Sequence, residues 1–146
     1  MELDQVDSSA PDLEFRILSA ERGPARRFAF RVARLACSVA GVHDQNALEL
    51  AGGGLERYPE IDELVRLWDL ERRLDSACEA QLGTHPSTCN LDELQLHPEC
   101  VEARAVAAVI AAFKADALVA AREAVREALR AGCRRAELES LADQLL

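Results

Sequence analysis

The chain has 146 residues, a net charge of −9 from 26 Asp and Glu against 17 Lys and Arg, and only 4% aromatic residues. Such a surplus of acid argues against general nucleic-acid binding, because phosphate neutralisation draws on Lys and Arg. No apolar stretch is both long and charge-free enough for a membrane span, so the chain is expected to be soluble and cytoplasmic. Ala, Leu, Glu and Arg dominate and β-branched residues are scarce outside Val, which is an all-helical composition in a length that suits one domain.

Residues 1–11 are polar and acidic with no apolar period, and are expected to form a disordered tail ahead of a single helical domain over 12–146. Asp12 can cap a short helix carrying Leu13, Ile17 and Leu18 that Gly23 ends. The spacing then predicts a helix over 24–40, with Pro24 at its first position and Gly41 just past its end. Phe28, Val32, Leu35, Ala36 and Val39 make one apolar face and Phe30, Ala33, Cys37 and Ala40 a second, which calls for a central place in a bundle. Arg27, Arg31 and Arg34 share the remaining surface. They are a candidate patch for an anion or an acidic partner, and the competing reading is an internal match with the acidic stretch 44–102.

Asp44 can cap a short helix through Leu50, with Gly52, Gly53 and Gly54 as a hinge. A phosphate-loop reading of these glycines fails, since neither Lys-Ser nor Lys-Thr follows and no strand precedes. Pro59 opens a helix over 59–82, in which Ile61, Leu64, Val65 and Trp68 form one stripe and Leu67, Leu70, Leu74, Cys78 and Leu82 another. A surface that wide needs two neighbours, and Trp68 reads as a core or interface anchor. Asn90 with Glu93 resembles a capping box for a brief turn.

From Pro98 no further Pro or Gly occurs until Gly132, and Val106, Val109, Ile110, Phe113, Ala117, Leu118, Ala121, Val125 and Leu129 keep helical spacing. This predicts one unusually long Ala-rich helix over 98–131, roughly 50 Å at 1.5 Å per residue, the competing reading being a kink near Lys114 to Asp116 that folds it back onto its own bundle. A last helix over 134–146 presents Leu138, Leu141, Ala142 and Leu145. The expected fold is therefore an all-α bundle of four substantial helices (about 24–40, 59–82, 98–131 and 134–146) plus short ones.

Five cysteines in an intracellular chain are expected to stay reduced and mostly buried, although Cys78, Cys89 and Cys100 are evenly spaced and a clamp from Cys89 to Cys78 or to Cys100 could tie the connector to a helix. His85, Cys89, His97 and Cys100 are the one constellation with zinc-ligand spacing. The Glu-x-x-His motifs of di-iron bundles are absent from the sequence, and no nucleophile and base can be paired.

The residues thus point to a non-enzymatic helical protein-protein interaction module, an adaptor, regulator or immunity-type binder, without a cofactor. Self-association as a homodimer is expected through Val125, Leu129, Leu138, Leu141 and Leu145, because a helix of that length would outrun its neighbours and leave an apolar end bare. The alternative is a zinc-binding or redox-responsive helical protein using His85, Cys89, His97 and Cys100.

Overall fold

The structure, a computed structural model, describes residues 13–53, 57–86 and 89–146. The expectations for the tail over 1–11, for Asp12 as a cap and for Gly54 lie outside those residues. The described chain is all-α: α1 (13–18), α2 (Arg22–Ala40), α3 (Gln45–Gly53), α4 (Ile61–Leu82), α5 (Leu91–Gln95), α6 (Pro98–Ala112), α7 (Ala117–Arg130) and α8 (Arg135–Leu145). No helix among the described residues is long and apolar enough to cross a membrane.

Helix α2 holds the centre, as its two apolar faces require, and packs against α3, α6, α7 and α8. Phe28, Ala29, Val32, Ala33 and Ala36 are completely buried. Its end is set by Gly41 at φ +74°, a left-handed conformation that costs glycine little, with the Val42 amide reaching back to the Cys37 carbonyl at 3.0 Å. Two boundaries differ from expectation. Gly23 lies inside the first turn of α2 rather than ending the preceding helix, and α3 runs on through Gly52 and Gly53 after Asp44 has capped it through the Ala47 amide.

The expected 34-residue helix over 98–131 is two helices, α6 and α7, folded into a hairpin. Neither Gly nor Pro is needed for the break, because capping groups at 113–116 satisfy both helix ends. The Phe113 and Lys114 amides tighten onto the Ile110 and Ala111 carbonyls, and the Arg26 guanidinium donates to the carbonyls of Ala112 (2.7 Å), Lys114 and Ala115 (2.9 Å). A cation there also complements the negative end of the α6 dipole. Asp116 then opens α7, its Oδ1 accepting from the Leu118 and Val119 amides at 2.9 and 3.1 Å. Phe113 packs edge-on against Phe30, centroids 4.9 Å apart.

The hairpin is closely packed because its inward faces are small. Ala105, Ala108, Ala112, Ala120, Ala121, Ala124 and Ala128 are all fully buried, which allows the axes of α2, α6 and α7 to approach. Within this apolar layer sits one buried charge, Arg104. It donates to Asp75 of α4 at 2.6 Å and to Glu127 of α7 at 3.0 Å, with Glu71 further off at 3.9 Å. Burial opposes its charge, but the Glu127 and Asp75 carboxylates outweigh that cost and hold the guanidinium ionised. Three helices are thereby joined through one side chain.

Candidate functional site

Helix α4 is anchored at its start by residues that precede it. Arg57 makes a two-pronged pair with Glu63 at 2.9 and 2.8 Å, and the Glu60 amide donates to the same carboxylate at 2.8 Å. Hydrogen bonds from Arg57 and the Glu60 backbone hold the Glu63 carboxyl down at about 2. The helix then rests on the body mainly through α6, burying Leu67 and Cys78 and placing Leu70 and Leu74 against the core. The expectation of two flanking neighbours is not met: α6 covers one side and α3 only a short part of another.

A consequence is an uncovered apolar stripe. Ile61, Val65 and Trp68, at i, i+4 and i+7, are 79%, 41% and 48% exposed, and Tyr58 just before the helix is 78% exposed. Scattered apolar residues are ordinary on a surface, but Ile61, Val65 and Trp68 share helical register and include the sole tryptophan, whereas Tyr58 lies beside the turn after α6. The charges around it are mixed and largely paired within α4 or with the residues just before it: Arg57 with Glu63, Arg66 with Asp62 and Arg72 with Asp69.

A second feature is an open cleft of about 660 Å³ between α2 and α8, lined by Arg31, Arg34, Leu35, Arg134, Ala136, Glu137, Ser140 and Leu141. Two members of the predicted arginine patch therefore meet a third arginine from the start of α8. Arg27 is exposed and outside the lining, and Arg26 is engaged at the end of α6. Among the described residues none of Arg27, Arg31 and Arg34 forms an ion pair, so the expected internal match with the acidic stretch is not made.

The residues expected to form a dimer interface are placed otherwise. Because the chain turns at 113–116, no bare helix end projects. Val125 and Leu138 lie in the core, and Leu129, Leu141 and Leu145 pack against it as partly buried side chains. The charges of α7 reach other elements: Glu123 pairs with Lys114, Glu127 with Arg104, and Arg130 donates to the Pro86 carbonyl.

The zinc constellation loses a ligand, since Cys100 is joined to Cys78 in a disulfide that ties α4 to the first turn of α6. A disulfide sulfur is not the thiolate that zinc binds. His85 instead lies 3.8 Å from Glu79, and no group of three His, Cys, Asp or Glu among the described residues is arranged to hold a metal ion. Expected free thiols are thus found at Cys37, Cys89 and Cys133 but not at Cys78 and Cys100. Cys37 and Cys133 are buried. Desolvation, with Cys133 nearby, pushes the Cys37 thiol up to about 12, and desolvation with Glu137 nearby pushes Cys133 to about 11. Cys89, half-buried, packs beside the disulfide together with Leu82 and Leu94.

Comparison with known protein families, with characterised proteins and with solved structures finds no match for this chain. The function is therefore argued from the surfaces alone.

Proposed function

We propose that this protein is a non-enzymatic helical interaction module that self-associates through the exposed face of α4. The observation that carries the proposal is the stripe Ile61, Val65 and Trp68, left uncovered although it follows an apolar helix pattern. Trp and Tyr are the residue types that most often dominate binding energy at protein interfaces. A second copy is a partner that brings a matching apolar stripe, and the charges that flank the stripe are already paired within the same segment. In an antiparallel twofold pairing, Trp68 of each copy packs over Val65 of the other. The contact is self-complementary and closed, so pairing stops at two.

Because Trp68 is the sole tryptophan, its emission reports this face and no other. On concentration from the nanomolar to the high-micromolar range, emission shifts to shorter wavelength as the indole leaves water. A spectrum that does not change with concentration contradicts pairing through α4.

A further inference from the structure

The α2–α8 cleft has a chemistry that the pairing of α4 does not use. Arg31 and Arg34 come from successive turns of α2, and Arg134 approaches from the start of α8. None of the three has an ion-pair partner among the described residues, whereas Arg16, Arg57, Arg66, Arg72 and Arg104 all do. The lining contains one acid, Glu137, and one of its oxygens already accepts the Arg134 backbone amide at 2.9 Å. Three guanidiniums therefore face one engaged carboxylate, a local excess of positive charge on a chain whose net charge is −9.

Between the arginines the lining is apolar. Leu35 from α2 and Leu141 and Ala136 from α8 line the cleft, and Ser140 adds a hydroxyl. A small inorganic anion would satisfy the guanidiniums and leave this floor wet. A ligand that fits both parts carries carboxylates spaced to reach the rim and a branched apolar side chain to cover the floor. The volume lies within the range of about 300 to 1,000 Å³ that holds a few side chains.

We propose that this cleft binds an acidic, leucine-bearing segment of a partner protein. Arg31, Arg34 and Arg134 take its carboxylates, for which the guanidinium fork is matched in shape and charge, and Leu35 and Leu141 take its apolar side chain. A long polyanion such as nucleic acid fits less well. It would extend beyond the basic patch onto the acidic remainder of the surface, whereas a short segment within about 8 Å of the arginines is screened from that field at physiological salt. The proposal does not depend on the α4 contact.

The test is fluorescence anisotropy of a labelled peptide of alternating Glu and Leu, with a peptide of alternating Lys and Leu and a single-stranded oligonucleotide of equal charge as comparisons. The expected result is saturable binding of the acidic peptide that weakens between about 50 and about 200 mM salt. The double substitution Arg31→Glu plus Arg34→Glu, at two exposed positions that do not support the core, should weaken it by about tenfold or more. Glu137→Gln, which keeps an acceptor for the Arg134 amide, should tighten it. Trp68→Glu should leave it unchanged, which separates failure of this site from failure of the α4 pairing. Absence of binding, equal binding by the double variant, or tighter binding of the oligonucleotide would each overturn the proposal.

Discussion

Replacing Arg104 by Met keeps most of the aliphatic stem that fills the α4–α6–α7 junction and removes only the charge. What remains is a junction of three carboxylates, Asp75, Glu127 and Glu71, with no cation between them. Breaking a buried ion pair by removing one partner costs about 3 to 5 kcal/mol. Asp75 and Glu127 retain 34% and 20% side-chain exposure, so water softens the loss toward the lower end, about 3 kcal/mol. For a chain of this size that is about 12 °C in Tm.

The pH dependence sharpens the test, because Glu71 behaves differently from an ordinary ion-pair acid. Burial and the neighbouring Asp75 raise its pKa, against the pull of Arg104, which at 3.9 Å is too distant to offset them. A folded-state pKa above the ordinary glutamate value of 4.5 means that Glu71 favours folding below that value. The contribution is lost as pH rises through the shifted value. Glu71→Gln should therefore raise Tm at pH 7 and leave it unchanged near pH 4, whereas the deficit of Arg104→Met should be largest at pH 7 and shrink as the carboxylates protonate. Thermal melts by circular dichroism across pH 4 to 8 measure both. A loss below about 1 kcal/mol for Arg104→Met, or a deficit that does not vary with pH, would refute the reasoning.

Further outcomes follow from the same structure. The Cys78–Cys100 bridge closes a loop with a sequence separation of 22, so reductant should lower stability by about 3 kcal/mol; an unchanged melt would contradict the bridge. In the native protein a thiol reagent should modify Cys89 while Cys37 and Cys133 react only on unfolding, read by mass spectrometry of the labelled chain. Asp116→Ala should cost about 1 kcal/mol through loss of the α7 cap, and Arg26→Ala about 2 kcal/mol through loss of charge-assisted bonds to the end of α6, each measured by urea denaturation. If neither variant is destabilised, the 113–116 turn is not held by these groups.

The physical limits of the sequence reading are visible at particular residues. The two apolar faces of 24–40 announced a central helix, since only a helix with neighbours on both sides keeps both faces dry, and α2 is that helix. The Asn90–Glu93 capping box is present with both bonds, at 2.9 and 3.2 Å. The turn at 113–116 is legible only as the competing kink near Lys114 to Asp116, because helical spacing continues across it and neither Gly nor Pro marks it. Asp116, a cap residue inside an apolar run, was the available signal, while its counterpart Arg26 lies 86 residues from Ala112 and no local pattern connects them. Arg104 was hidden for the same reason, since its partners come from two other helices.

In the candidate surfaces the pattern was half legible. Arg31 and Arg34 stood out as neighbours on one helix face, but Arg134 joins them only through the packing of α8 on α2. The stripe at Ile61, Val65 and Trp68 was readable as apolar. Periodicity says which side chains avoid water and not which neighbour covers them, so its exposure became evident only in three dimensions. The same gap misdirected the dimer surface to Val125 and Leu138, which are buried in the core. Equal spacing of Cys78, Cys89 and Cys100 left their pairing open, and the docking of α4 on α6 brings the first and third together.

The central claim, that α4 pairs with a second copy of itself, is tested most directly by sedimentation equilibrium of the wild type and of Trp68→Glu. The wild type should fit a monomer–dimer equilibrium with no larger species. Loss of an aromatic anchor of this kind costs about 2 kcal/mol or more, so the variant should dissociate about thirtyfold more readily while keeping its melting temperature at low concentration. A wild type that stays monomeric at the highest concentration reached, or a Trp68→Glu variant that dimerises as well as the wild type, would contradict the account.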